Sequence, residues 1–420
     1  MRAIVFSLLL CGIALQAATT RVTTSASLSD VETAVNMSSN GDTVIVTNGS
    51  ATWAGTLTIP SDKRIYLRGK GIGNTTITGT SGVKLMVVEA GTAYLEISGF
   101  SFIEAGTHSG TDGSLDMNGG NWRFCSNSVS CSDGGAFFAI WHTDTKSTLI
   151  DRNFVTIQSG SSAAHFALLY GTSGGEDIIY GSNAWNYGTT YGTTNYCTIE
   201  HNAITWDDDD ERDGIFDAFG GAKFTIRFNI ITNAYFGWHG CDSGDKYRSP
   251  HSYEIYGNTF YQGACNHYCI FNSRGGTGLV FSNTVVGSFA STGFLMQYYR
   301  ETTSYGTWGM MTGANHWDGN ELGSGYPGID QQGMTGPSTY YPTYTQQTHS
   351  PTYIWANTGD FSIEDDATCI APGRDWTNIA LSGYVPLVDP HPMSGGTNEP
   401  IASPRRLRVI NARVGTIRAP

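Results

Sequence analysis

Charge is scarce in this chain. Asp, Glu, Lys and Arg supply only 14% of its 420 residues, and the formal net charge is −13. Long amphipathic helices draw on Glu, Lys, Ala and Leu, and no such stretch occurs, which excludes a helical bundle or a coiled coil. An acidic body also excludes non-specific nucleic-acid binding. Basic residues gather only in the tail, where Arg405, Arg406, Arg408, Arg413 and Arg418 stand against Glu399. Long apolar runs are missing as well. The single candidate, Ala3 to Leu15, follows Arg2 and leads into Gln16-Ala17-Ala18. It is too short to span a bilayer comfortably and has the layout of a secretory signal cleaved near Ala17 or Ala18. The expectation is an exported, soluble, monomeric protein with no membrane span.

Cysteine is sparse too, with eight in the chain. The cluster Cys265-Asn-His-Tyr-Cys269 has no second ligand pair at zinc-like spacing. Export permits oxidation, and Cys125/Cys131 and Cys265/Cys269 are close enough in sequence to pair locally. What the chain does have is 53 glycines and 22 tyrosines, with abundant Ser, Thr and Asn. This is an all-β composition with many turns.

The organising signal is a short strand followed by a bend at Asn. It reads Phe124-Cys-Ser-Asn127, Leu149-Ile-Asp-Arg-Asn153, Thr198-Ile-Glu-His-Asn202, Thr225-Ile-Arg-Phe-Asn229, Glu254-Ile-Tyr-Gly-Asn258 and Leu279-Val-Phe-Ser-Asn283. Successive Asn positions fall 25 to 29 residues apart, except for 49 between Asn153 and Asn202. That interval is either two coils or one coil with a long loop through 171–196. A period of this length with one strand-turn-strand unit per copy marks a β-solenoid, in which each coil covers the apolar stripe of its neighbour. Asn at the bend tolerates left-handed backbone geometry, and stacked copies can form a hydrogen-bonded ladder. Ser29 to Met37 reads as a short helix beginning at Ser29 or Asp30, suited to covering the first open coil.

The opening segment is specific. Asn40-Gly-Asp-Thr-Val-Ile-Val, Thr58-Ile-Pro and Gly71-Ile-Gly-Asn-Thr-Thr-Ile-Thr-Gly resemble the start of pectate-lyase-like β-helix proteins, and within them the chondroitinase-B and alginate-lyase type. With the Asn repeat, the resemblance covers roughly residues 29–320. It implies an all-β, right-handed parallel β-helix with a carbohydrate-facing groove. Lyases of that type use a Lys/Arg pair and often calcium. No motif here maps onto the pair, so the resemblance places no catalytic residue. Three segments follow: 1–18 a signal, 19–393 the β-helix with Tyr384 to Pro392 as its closing segment, and 394–420 a linker and basic tail.

Aligning the strand before each Asn turn places candidate chemistry on one face. With Phe216, Phe236 and Phe271 pointing inward, strand alternation puts Asp217 and Asn272 in one outward column. Phe219, His239 and Arg274 then share the next, with His142 and Arg300 in register. β-Elimination on a uronate needs its carboxylate neutralised, the adjacent proton removed and the leaving oxygen protonated. Arg274 suits the first task, His239 the second and Tyr299 the third. Asp217 is a further catalytic candidate. Lys246 and Arg248 could hold another anionic sugar, Phe219 could stack on a sugar ring, and Asn272, His142 and Arg300 complete the candidate substrate contacts. The run Asp207 to Asp213 lacks the Gly and terminal Glu of an EF-hand loop, yet Asp207, Asp209 and Asp213 could bind calcium.

Three functions compete: a lyase on an anionic, uronate-containing polysaccharide, a non-catalytic glycan-binding protein, and a glycoside hydrolase. The hydrolase would use Asp213 and Asp217 with one of Asp207 to Asp210. The His239-Gly240 pair resembles polygalacturonases, but their Asn-Thr-Asp and Arg-Ile-Lys elements are absent.

Overall fold

The computed structural model describes residues 18–395 apart from 92, 105–112, 132–134, 142–146, 159–164, 172–187, 208–213, 240–248, 263–268, 288–291, 298–331, 336–347 and 366–369. The chain winds as a right-handed parallel β-helix, the fold expected from the repeat. Each coil contributes one strand to each of three sheets in turn. The first sheet has twelve strands, from Thr20–Val22 to Trp376–Thr377, and the second has ten, from Gly49–Thr52 to Thr358–Gly359. The third comes in two parts. Six strands run from Leu57–Ile59 to Phe216–Phe219, and four follow from Phe236–Trp238 to Ile363–Asp365. The Ile215 N–H donates to Tyr235 O at 3.0 Å across the break.

Alternation along each strand fills the interior with one continuous column of Val, Ile, Leu and Phe, including Phe102, Phe124, Phe138, Phe216, Phe236 and Phe271. The helix that covers the first coil is Leu28–Asn36. Its N-cap is Ser27, whose side chain accepts from the Asp30 N–H, and it buries Val31, Ala34 and Val35. The cap therefore lies two residues before the earlier of the expected starts, because Leu28 already has helical geometry.

The ladder is real, and it refines the role of Asn. Asn127, Asn153, Asn202, Asn229, Asn258 and Asn283 are buried. Each Oδ1 from Asn153 to Asn283 accepts both the backbone N–H and the side-chain amide of the preceding Asn, as at Asn202–Asn229, 2.9 and 3.0 Å. The left-handed residue is the one before it: Ser126, Arg152, His201, Phe228 and Ser282 have positive φ, as does Gly257. Division of labour explains this. The buried Asn must aim its amide along the stack, so its outward neighbour takes the strained backbone. Asn153 bonds directly to Asn202 at 2.9 Å, so the 49-residue interval is one coil with a long insertion.

Two further expectations change. Cys125 and Cys131 are buried free thiols rather than a pair, because they end strands of different sheets, Trp122–Cys125 and Ser128–Cys131. Burial pushes both thiols well up from their ordinary pKa. Cys265 lies outside the described residues. The segment Tyr384–Ser394, expected to close the fold, adds no strand to any sheet. It runs back over the outer face of the first sheet as a strap. Tyr384 donates to Glu254, Arg227 donates to the carbonyls of Leu387 and Val388 at 2.6 and 3.1 Å, and Arg123 reaches Ser394 O at 3.4 Å. Beneath it lie the buried pairs Arg227–Glu200 and Arg123–Asp151, at 2.5 and 2.6 Å.

Candidate active site

The strap covers one outer face, and a cleft opens on another. On the third sheet Phe216, Phe236 and Phe271 point into the core, with ring centroids 6.0 and 6.2 Å apart in succession. That stack sets the register across the break. Asn272 pairs with Gly237 and Ser273 with Trp238, so His239 and Arg274, next along their chains, stand on adjacent coils about 4.8 Å apart. Asp217, Gly237, His239, Asn272 and Arg274 line one cleft with His165 and Tyr235. The register read from the sequence thus brings Asp217, His239, Asn272 and Arg274 together.

At its centre is an acid–imidazole pair. His239 Nδ1 lies 2.7 Å from Asp217 Oδ2. Asp217 Oδ1 also accepts the backbone N–H groups of Ala218 and His239, at 2.8 and 3.2 Å. Asp217 is only 6% exposed, while the His239 side chain is 36% exposed. An ionised carboxylate accepts only, so Nδ1 carries the proton and the neutral ring keeps its lone pair on Nε2. That is the arrangement of a general base oriented by a carboxylate.

Phe219 does something other than expected. Its ring stacks on His239 at 5.0 Å and 15° and, on its other side, against Tyr170 at 5.6 Å and 13°. Tyr170 in turn stacks on Trp141 at 4.2 Å and 17°. Both Phe219 faces are taken, so no sugar ring can lie on either. The four rings form a rail that fixes the plane of the imidazole.

His165 was not legible from the sequence, because its strand falls inside the 49-residue interval that no alignment could register. Its Nδ1 lies 2.7 Å from Gly214 O. A carbonyl only accepts, so this ring too donates through Nδ1. His142, Tyr299, Arg300, Lys246, Arg248, Asp209 and Asp213 lie outside the described residues, and the register expected for two of them does not hold. Trp141 rather than His142 aligns through Tyr170 with Phe219. Ser273 pairs with Met296, which sets Gln297 rather than Arg300 beside Arg274. Asp207 ends the second-sheet strand Ala203–Asp207, and its side chain is likewise outside them.

No family model matches the chain, and a search of curated proteins finds no match. Among solved structures it is similar to the PL6 family alginate lyase AlyGC, at 14% identity and a TM-score of 0.41, over 86% of this chain and 52% of that one. It is also similar to a PL6 family polysaccharide lyase from Pseudopedobacter saltans, at 13% and 0.41, over 90% and 89%. A third is an alginate lyase from Paenibacillus sp. str. FPU-7, at 16% and 0.34, over 66% and 97%. The chain thus spans about half the length of AlyGC.

The described residues bring one metal-capable trio together, Glu200, His201 and Asp389, with ligand atoms within 4.8 Å of one another. It joins Asp389 of the strap to Glu200 and His201 of the first sheet's edge, away from the cleft. Its fit to calcium is poor. Calcium takes six to eight oxygens, while one of three donors here is an imidazole already 2.9 Å from Asp389. Glu200 Oε2 is held by Arg227 Nε at 2.6 Å. Burial raises the Glu200 pKa against the opposing pull of Arg227.

Proposed function

We propose that this protein is an exported polysaccharide lyase that cleaves a uronate-containing polymer by β-elimination in the third-sheet cleft. The observation that carries the reading is the Asp217–His239 pair with Arg274 on the adjacent coil. His239 Nε2 takes the proton from the carbon bearing the sugar carboxylate. The electrons left behind form a carbon–carbon double bond, and the glycosidic oxygen on the next carbon departs with its bond pair. It receives a proton from the imidazolium or from a separate acid, for which Tyr299 stays the candidate. Arg274 holds the carboxylate and stabilises the negative charge that builds on it. Asp217 fixes the imidazole tautomer and stabilises the imidazolium. A hydrolase requires two carboxylates flanking the bond, and the described lining of the cleft holds one, Asp217, already committed to His239.

The test is incubation of the mature protein with alginate, pectate and chondroitin, with and without calcium, while following ultraviolet absorbance of the unsaturated uronate. Rising absorbance that falls at least about 10²-fold in His239→Ala and Arg274→Ala is expected. Reducing ends without absorbance would move the assignment to a hydrolase. Binding without either product would make the protein a glycan-binding one.

A further inference from the structure

One position in the cleft is a glycine that neither backbone nor packing requires. On the outer face of the third sheet, a column runs through Asp116, Ala139, Leu168 and Asp217 in register. Past the break it continues through Gly237, Asn272 and Leu295. A glycine inside a strand weakens it and needs a reason. Left-handed geometry is not that reason, because Gly237 has no positive φ. Crowding is not it either. A Cβ at Gly237 would meet Asn272 Cβ, Asn272 O and Tyr235 Cε2, each at 3.7 Å, which is ordinary contact. Gly214, in the same cleft, differs: a Cβ there would come within 2.9 Å of Gly237 N.

What the missing side chain supplies is room. The notch over Gly237 lies between Asp217 and Asn272, beside His239 and Arg274. We propose that this notch is the subsite for a single uronic acid ring, with the ring's carboxylate toward Arg274 and the Asn272 amide. The walls set the class. Arg274 is a permanent cation whose planar fork matches a carboxylate, and Asn272 can donate through its amide. Asp217 keeps its negative charge, but its oxygens are engaged by two backbone N–H groups and the imidazole, which offset that charge locally. A neutral hexose offers a hydroxymethyl where a uronate offers a planar anion. The uronate assignment rests on the lyase reading, while the notch itself rests on geometry.

The experiment compares wild type, Gly237→Ala and Gly237→Val. Thermal unfolding is measured alongside saturation-transfer NMR with the monosaccharides galacturonate, mannuronate and guluronate, with glucose and galactose as neutral controls. Monosaccharides have no bond to cleave, so binding is read alone. At least one uronate should bind the wild type in preference to the neutral sugars. Val should weaken that binding about tenfold or more, and Ala, whose Cβ makes only ordinary contacts, should weaken it less with no fall in melting temperature. Equal binding by wild type and Val would overturn the proposal, as would no uronate binding to wild type, or a loss of binding that only tracks a loss of stability in Ala. Uronate binding that Val abolishes, in a protein that yields no unsaturated product, would keep the notch and sink the lyase. Product formed equally by wild type and Val would keep the lyase and sink the notch.

Discussion

A carboxylate that accepts two backbone N–H groups and an imidazole N–H has its acceptor sites aimed by the protein rather than by a ligand. Asp217 is such a group, and its role follows from what an amide would do in its place. In Asp217→Asn the shape is kept, but the side-chain NH₂ can face Nδ1 and drive the ring proton onto Nε2, removing the base. The turnover number should fall about 10²–10⁴-fold with little change in KM, read by the unsaturated-uronate assay on the polymer the wild type cleaves. Asp217→Glu should recover part of the loss. An Asn variant with full turnover would show that the pair does not act as the base. Phe219 supports the same group from one face, which is why an outward aromatic here serves the imidazole rather than a sugar.

At the scale of elements, the two-residue turn between first and second sheets does the most to define the coil. Asn229 shows why it is sensitive. Its Oδ1 accepts from the backbone and side chain of Asn202, and its own amide donates to Ile199 O, Arg227 O and Asn258 Oδ1. Asn229→Ala strands buried donors on Asn202, at a cost of about 2–3 kcal/mol, while Asn229→Asp keeps the acceptor and should cost less. Urea unfolding monitored by circular dichroism measures both. This turn was legible because six copies repeat the same buried Asn, 25 to 29 residues apart in all but one interval. The cleft register was legible for a related reason: Phe216, Phe236 and Phe271 could only face inward, and parity then fixed Asp217, His239 and Arg274. Ser27 was not, since Ser29 and Asp30 offer equally good capping chemistry and only the backbone of Leu28 decides. His165 lacked a register, and nothing local to Tyr384–Ser394 announces partners as distant as Arg123, 271 residues away from Ser394. The turns also explain where chemistry can vary. From the strand Leu95–Ser98 onward the first-to-second-sheet turns stay at two residues, while the connections entering and leaving the third sheet differ widely in length. That pattern suits loops that flank a working face.

For the molecule as a whole, the strap couples coils that the repeat would otherwise join only to their neighbours. It crosses from Glu254 to Arg123 and desolvates the ion pairs beneath it, so its docking is sensitive to protons. His391 is fully buried. Its Nδ1 accepts the Met393 N–H at 3.1 Å, and its backbone N–H donates to Glu200 at 3.3 Å. Burial, helped by the nearby Arg227 and Arg123, pulls its pKa down from 6.5 to about 4. A depressed histidine is neutral in the folded chain while the unfolded chain takes up a proton. The stability it contributes is therefore intact above pH 6.5 and drains away as pH falls toward 4, by about 3 kcal/mol in all. Glu200 and Glu254 run the other way. Burial raises both above their ordinary value of 4.5, so their folded forms keep protons that the unfolded chain has lost, and their contribution shrinks as pH rises past 4.5. The net slope mixes these effects, and His391→Asn separates them. Asn retains a side-chain oxygen to accept the Met393 N–H and cannot titrate. The stability difference between wild type and His391→Asn, from denaturant unfolding, should be flat above pH 7 and should narrow in the variant's favour between pH 6.5 and 4. A difference that stays constant across that window would mean that the strap is not held by a neutral, buried His391.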